Sequence, residues 1–255
     1  MVKQRHGRSK KKKSVSWGLV LFEVIGWIVL AGMLLSIYNS SKTISVIVDS
    51  KPIAQLSADT TGIVRLEGLT ASEKEITEQG TLRHTYALLQ KELFYWGCGG
   101  RGGCDYKRDQ GAIPKISGSI SVNDIEVQAD RYLFYKNWLP LDSGTVEPNH
   151  FFRIYEGGTT RPLMVEEHES TAYGYHAVTR GERITVIGNA VNGRIEPFSI
   201  SVSKGNAVLI GDNIEQMVAK EKEARTFYII IGFLDIMLLS PAMIGRLRRQ
   251  KESKR

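Results

Sequence analysis

Hydrophobic positions along this chain fall into two long unbroken runs and a series of short, alternating ones. The first long run covers residues 17–38 and holds one charge, Glu23. The second covers 226–245 and also holds one, Asp235. Each is about 20 residues long, enough for a helix rising ~1.5 Å per residue to cross a ~30 Å hydrocarbon core. A core helix of that length normally keeps a polar face, and neither run has one. Both are read as transmembrane helices. The first is longer than the ~7–15 apolar residues of a signal peptide. The Ser-Ile-Tyr-Asn-Ser-Ser that follows it lacks a small-x-small cleavage pattern. An uncleaved anchor is expected.

Between the runs the period changes. Branched and aromatic residues alternate with polar ones, which predicts strands at 44–48, 63–69, 86–96, 116–122, 125–127, 131–138, 151–155, 173–177, 183–190, 194–200 and 207–210. Asp59-Thr-Thr-Gly62 and Asn123-Asp124 are turn signals, and Asn192-Gly193 is the strongest hairpin signal. Residues 140–149 and the acid-rich 166–169 read as loops. Residues 213–225 are rich in Glu, Lys, Ala and Met and predict a helix that runs straight into the second apolar run. The expected fold class is α+β: a β-rich extramembrane domain, 39–225, between an N-terminal transmembrane helix, 17–38, and a C-terminal one, 226–245. Basic tails, 1–16 and 246–255, flank them.

Charge gives this arrangement a direction. The chain carries +7 in all. With +7 on 1–16, +5 on 246–255 and −1 on each apolar run, the remaining 39–225 carries −3. Basic flanks stay inside, so both termini are expected in the cytoplasm of a two-span protein, with the domain outside, in a plasma or inner membrane. The Lys/Arg excess sits where it meets anionic lipid headgroups. The bilayer is thus the expected partner of the tails, and nucleic acid is not.

Candidate chemistry is sparse. Cys98 and Cys104 bracket four glycines and one arginine, which is a loop or hairpin tip. Placed outside the cytoplasm, they are a candidate disulfide. A metal site is the other reading, although two cysteines are few ligands for structural zinc. No Gly-Lys-Ser/Thr follows the glycines, which speaks against a phosphate loop. His84, His150, His168 and His176 are scattered and are expected in loops or on the surface. Glu166, Glu167 and Glu169 are read as a solvated loop rather than paired catalytic carboxylates. Glu23 and Asp235 are the candidate assembly residues, because acids in a membrane span are expensive and often functional. Glu23 sits near the cytoplasmic end and can reach the interface. Asp235 lies mid-span, to face a partner helix, pair within an oligomer or stay protonated. No cofactor is expected.

Three segments carry a resemblance. Gly62-Ile-Val-Arg-Leu-Glu-Gly68, Gly181-Glu-Arg-Ile-Thr-Val-Ile-Gly-Asn-Ala190 and Pro197-Phe-Ser-Ile-Ser201, followed by a short helix and a closing span, resemble the GIDE-type membrane proteins. Organellar members are ubiquitin ligases whose domain between two spans recognises partners and whose catalysis lies in a C-terminal RING finger. No cysteine follows the second apolar run here, so the resemblance implies no ligase activity. The stretch 62–69, Leu93-Phe-Tyr-Trp96 and 184–217 are also similar to the LUMA-type membrane proteins, which carry more C-terminal spans. The functional expectation is a scaffold or interaction protein, not an enzyme, with a protein partner or a second copy of itself. The alternative is an accessory subunit of a membrane enzyme or transporter coupled through Asp235.

Overall fold

The computed structural model describes residues 17–57, 59–99, 103–109, 111–148, 152–155, 162–201 and 204–254. The basic tail 1–16 and His150 lie outside them. The chain is mixed α+β and rich in strands. It divides into two compact units: the helical segments up to Tyr38 and from Arg225, and the unit Asn39–Ala224.

Helix α1 spans Trp17–Asp49. Residues 44–48, expected as a strand, are instead its last turns. β propensity depends on what a side chain packs against. Here Ile47 is fully buried in a cluster with Ile187, Leu209 and Met217, so packing overrides the branched residues' preference. Thr43, and Ser50 just past the helix end, donate their hydroxyls back to the helix carbonyls of Asn39 and Ile47, which occupies their polar groups.

The strands that follow are β1 (Lys51–Pro52), β2 (Gly62–Ala71), β3 (Leu88–Cys98), β4 (Cys104–Arg108) and β5 (Lys115–Gly118). Next come β6 (Ile120–Val122), β7 (Ile125–Val127), β8 (Tyr132–Phe134), β9 (Phe152–Tyr155) and β10 (Leu163–Glu166). The last are β11 (Thr171–Val178), β12 (Arg183–Val191), β13 (Arg194–Glu196), β14 (Phe198–Ser201) and β15 (Gly205–Gly211). Strands β1, β4 and β10 have no counterpart among the expected ones. Only part of 131–138 is a strand.

Five strands close a barrel. β2 pairs with β6, β6 with β7, β7 with β13, β13 with β12, and β12 returns to β2 from Arg183↔Leu69 to Ala190↔Gly62. The β7–β13 pair is parallel and the other four are antiparallel. This Greek-key order is that of a five-stranded OB-type barrel. Alternation fills it: Val64 and Leu66, Ile120 and Val122, Ile125 and Val127, Ile184 and Val186 all enter one buried cluster. Each such side chain contributes roughly 1.5–3 kcal/mol on burial. Two tight turns hold the register. Asn123 and Asp124 have φ of 51° and 64°, and Asn192 and Gly193 have 50° and 77°, the paired positive values that a type I′ hairpin needs.

Seven further strands arise from two insertions in this barrel, while β1 adds to β2 and β15 and β14 extend from β12. β3–β5 lie between β2 and β6, and β8–β11 between β7 and β12. They form a second antiparallel sheet, β4-β3-β11-β10-β9, with β5 also on β3. β8 instead runs parallel to β15. The buried Gln90 of β3 ties the insertions together. Its amide donates to Tyr132 O and accepts from Tyr132 N, both at 3.1 Å, as a neighbouring strand would.

Helix α2, Ile214–Lys254, closes the chain. Asn213 caps it by accepting from Gln216 N at 2.8 Å.

Candidate functional site: a buried carboxylate, a helix seam and a hairpin tip

Glu221 on α2 is 6 % exposed and gathers side chains from three places. Tyr135, just beyond β8, donates to its Oε1 at 2.7 Å. Ser40 on α1 donates to Oε2 at 2.9 Å. Lys204, just before β15, makes an ion pair with Oε1 and lies 3.3 Å from the Tyr135 hydroxyl. Lys220 donates to the Tyr135 carbonyl. A buried carboxylate is tolerated only when paired and hydrogen-bonded, and Glu221 has a cation and two hydroxyls. Burial, reinforced by the Glu221 charge, raises the Tyr135 pKa well above that of a free phenol, so the hydroxyl stays a donor. Chemically this is a lock between helix ends and strands. Nothing in it makes Ser40 a nucleophile, since its proton is committed to Glu221.

Sequence reasoning missed this group, whose members lie far apart in the chain. One signal was present. Met217 and Glu221 share a helix face at a spacing of four, so an acid continues the stripe that packs on the barrel.

The two acids of the apolar runs lie in the helical unit. The helices approach closely at two glycines. A Cβ on Gly26 would stand 2.4 Å from Leu239 Cδ2, and one on Gly232 within 4 Å of Met33 and Leu30. Glu23, 7 % exposed, is one turn from Gly26. Asp235 lies between Gly232 and Leu239 on α2, and its Oδ2 is buried with no hydrogen-bond partner among the described residues. Both acids therefore belong to the seam, not to the outer faces. The outer faces are apolar and exposed, with Leu21, Ile28 and Leu34 on α1 and Phe227, Phe233 and Leu238 on α2.

Cys98 and Cys104 are opposite residues of the β3–β4 ladder and are joined by a disulfide. Beside them, the rings of Trp96 and Tyr106 are 4.9 Å apart and those of Tyr106 and Tyr155 5.1 Å apart, all edge to face. The Tyr106 hydroxyl donates to Glu169 O at 3.0 Å, which fixes the hairpin to the turn after β10.

A fourth cluster borders a cavity of about 90 Å³ lined by Thr77, Glu78, Leu89, Lys91, Lys115 and Ser117. Lys91 pairs with Glu78 at 2.6 Å and stands 3.9 Å over the Tyr173 ring. Glu166 ends β10 and accepts from Thr171 and Tyr173, which lowers its pKa. The same arrangement pushes the Tyr173 phenol up to about 12, chiefly through burial and then through the Glu166 hydrogen bond.

The histidines do not converge. His84 is exposed and bonded to Gly144 O, and His168 is exposed. His176, expected at the surface, is buried on β11 between the rings of Phe134 and Trp138, at 4.7 and 3.8 Å. Alternation along β11 puts it on the face of the buried Ala172 and Val178, opposite the equally buried Tyr175. Among the described residues no group of three or more His, Cys, Asp or Glu is arranged to hold a metal.

Among the described residues, α1 is long and apolar enough to cross a membrane, over Val20–Asp49. No family model, no curated protein and no solved structure matches this chain.

Proposed function

We propose that this protein is a membrane-anchored interaction module: α1 and the apolar part of α2 both span the bilayer, and the barrel domain is displayed outside the cytoplasm to a protein partner. One observation carries the reading. The helical unit turns Gly26, Gly232 and both acids inward and exposes large apolar side chains, which is the inverse of a soluble helix pair. Basic residues at both chain ends support cytoplasmic termini. The resemblance of residues 62–68, 181–190 and 197–201 to GIDE-type proteins supports partner recognition by the domain, without RING chemistry.

The test is extraction and labelling of the full chain. It should stay with membranes at alkaline pH. On intact cells, an impermeant reductant followed by an impermeant maleimide should label Cys98 and Cys104. Labelling that requires an opened membrane would overturn the orientation, and alkaline release would overturn the anchor.

A second reading rests on Asp235 and its unpartnered oxygen. In this reading the chain is an accessory subunit, and the seam opens in the complex so that the carboxyl meets a polar group of a membrane enzyme or transporter. Asp235→Leu separates the two. Loss of a co-purifying membrane partner favours the accessory subunit, and unchanged assembly removes it.

A further inference from the structure

The β3–β4 hairpin carries a feature that anchoring and display do not use. Cys98 and Cys104 are both exposed. They are six apart in sequence, and Arg101 is the one residue between them that is not glycine. The hairpin does not depend on the bond. Phe94 to Cys98 are laddered against Arg108 to Cys104, Tyr106 is buried, and its hydroxyl is tied to Glu169 O. The side chain of Lys107 lies against Gly97, and its ammonium comes within 2.9 Å of where a Gly99 Cβ would be. Lys107 thus covers the face of the hairpin opposite the sulfurs.

Side chains alternate across a strand, so Trp96 and Tyr106, an opposed pair, share a face with Cys98 and Cys104. Trp96 is 43 % exposed, and its ring rests on Tyr106. An exposed indole held rigid by a buried phenol is a typical anchor for a protein partner. Here it stands two residues from a reactive bond.

We propose that Cys98–Cys104 is an exchangeable disulfide whose reaction partner is a dithiol protein that docks on Trp96. A thiolate of the partner attacks one sulfur of the bond. The S–S electron pair leaves with the other sulfur, which takes a proton from solvent. The partner's second thiolate then attacks the mixed disulfide. The partner is released as a disulfide, having lost two electrons and two protons, and this chain is released as the dithiol that gained them. The exchange uses the hairpin alone, so it stands apart from the membrane reading.

The experiment uses the full chain in detergent without denaturant. It compares dithiothreitol with a reduced thioredoxin-type protein at equal thiol concentration, read as a gel shift with a polymer-tagged maleimide. Both should reduce the bond, the protein at least about tenfold faster, a factor that ~1.4 kcal/mol of docking supplies. Trp96→Ala should remove that advantage and leave the dithiothreitol rate unchanged. Reduction that occurs only after denaturation would overturn the exchange. A protein reductant no faster than dithiothreitol, or a Trp96→Ala chain slowed equally toward both, would overturn the docked partner. The wild-type comparison stands even if Trp96→Ala fails to accumulate.

Discussion

At the scale of single residues, the domain is held by a few polar groups whose charge state is set by neighbours. Glu166 accepts from two hydroxyls, Thr171 foremost, and its folded pKa lies below the ordinary 4.5. A depressed carboxylate stabilises the fold at pH above its unfolded value. That contribution disappears as pH falls below 4.5 and through the lowered folded value. Glu166→Gln should therefore cost about 1 kcal/mol at neutral pH and flatten the acid limb of a plot of thermal midpoint against pH. An unchanged acid limb would show that Glu166 is not the titrating group. Tyr135→Phe makes a different test. It leaves the Glu221 carboxylate with one hydrogen bond fewer in a buried setting, at a cost of about 1–3 kcal/mol. Because Tyr135 does not ionise in the working range, its effect should be the same at pH 6 and pH 9. Neither group was legible in the sequence. Ser40, Tyr135, Lys204 and Glu221 are ordinary polar residues until the barrel brings them within hydrogen-bonding distance.

At the scale of elements, what was legible depended on whether local signals and packing agreed. Strand β12 and its Asn192-Gly193 turn were readable because alternation, branched residues and positive φ all point one way. Residues 44–48 were misread because the local preference loses to Ile47 packing on the barrel. Edge strand β4, Cys-Asp-Tyr-Lys-Arg, was missed for a third reason. Its charged residues are those that keep an exposed edge from pairing with other chains, and they hide the strand signature. The junction of β5 and β6 gives a sharp test. Gly118 has φ +84°, and a Cβ there would stand 2.2 Å from the Ala87 carbonyl oxygen. Gly181 has φ +75° but open space around it. Gly181→Ala should cost only the left-handed conformation, about 1–2 kcal/mol. Gly118→Ala pays that and the collision, so its thermal midpoint should fall further. Equal losses would mean that β5 does not approach β3 as described.

At the scale of the whole molecule, early and late segments are partners. In the helical unit α1 packs on α2, and in the domain β2 pairs with β12 and β3 with β11. These three pairs are nested in sequence order, while β7–β13 and β8–β15 cross them. The division into two apolar runs and a β-rich centre was legible from the sequence. The nesting was not, because strand pairing over such separations leaves no periodic trace. Asp235→Leu belongs to this scale as well. If the carboxyl serves only the seam, the variant should raise the thermal midpoint in detergent, since an apolar side chain replaces a buried oxygen without a partner. A lower midpoint would mean that the acid has a bonding role.

The nested ladder also governs how the protein comes into being. Contacts between distant parts of a chain are slow to form, because the loop entropy is spent before the contacts reward it. Until Arg183 and the residues after it have been made, β2 has no partner on its long edge, and the barrel cannot close. A nascent chain halted before that point would remain digestible along its β-rich length. One halted after β15 would become resistant in a single step. The barrel's closing strand thus acts as a completion check, and no half-made copy of this protein carries a finished domain.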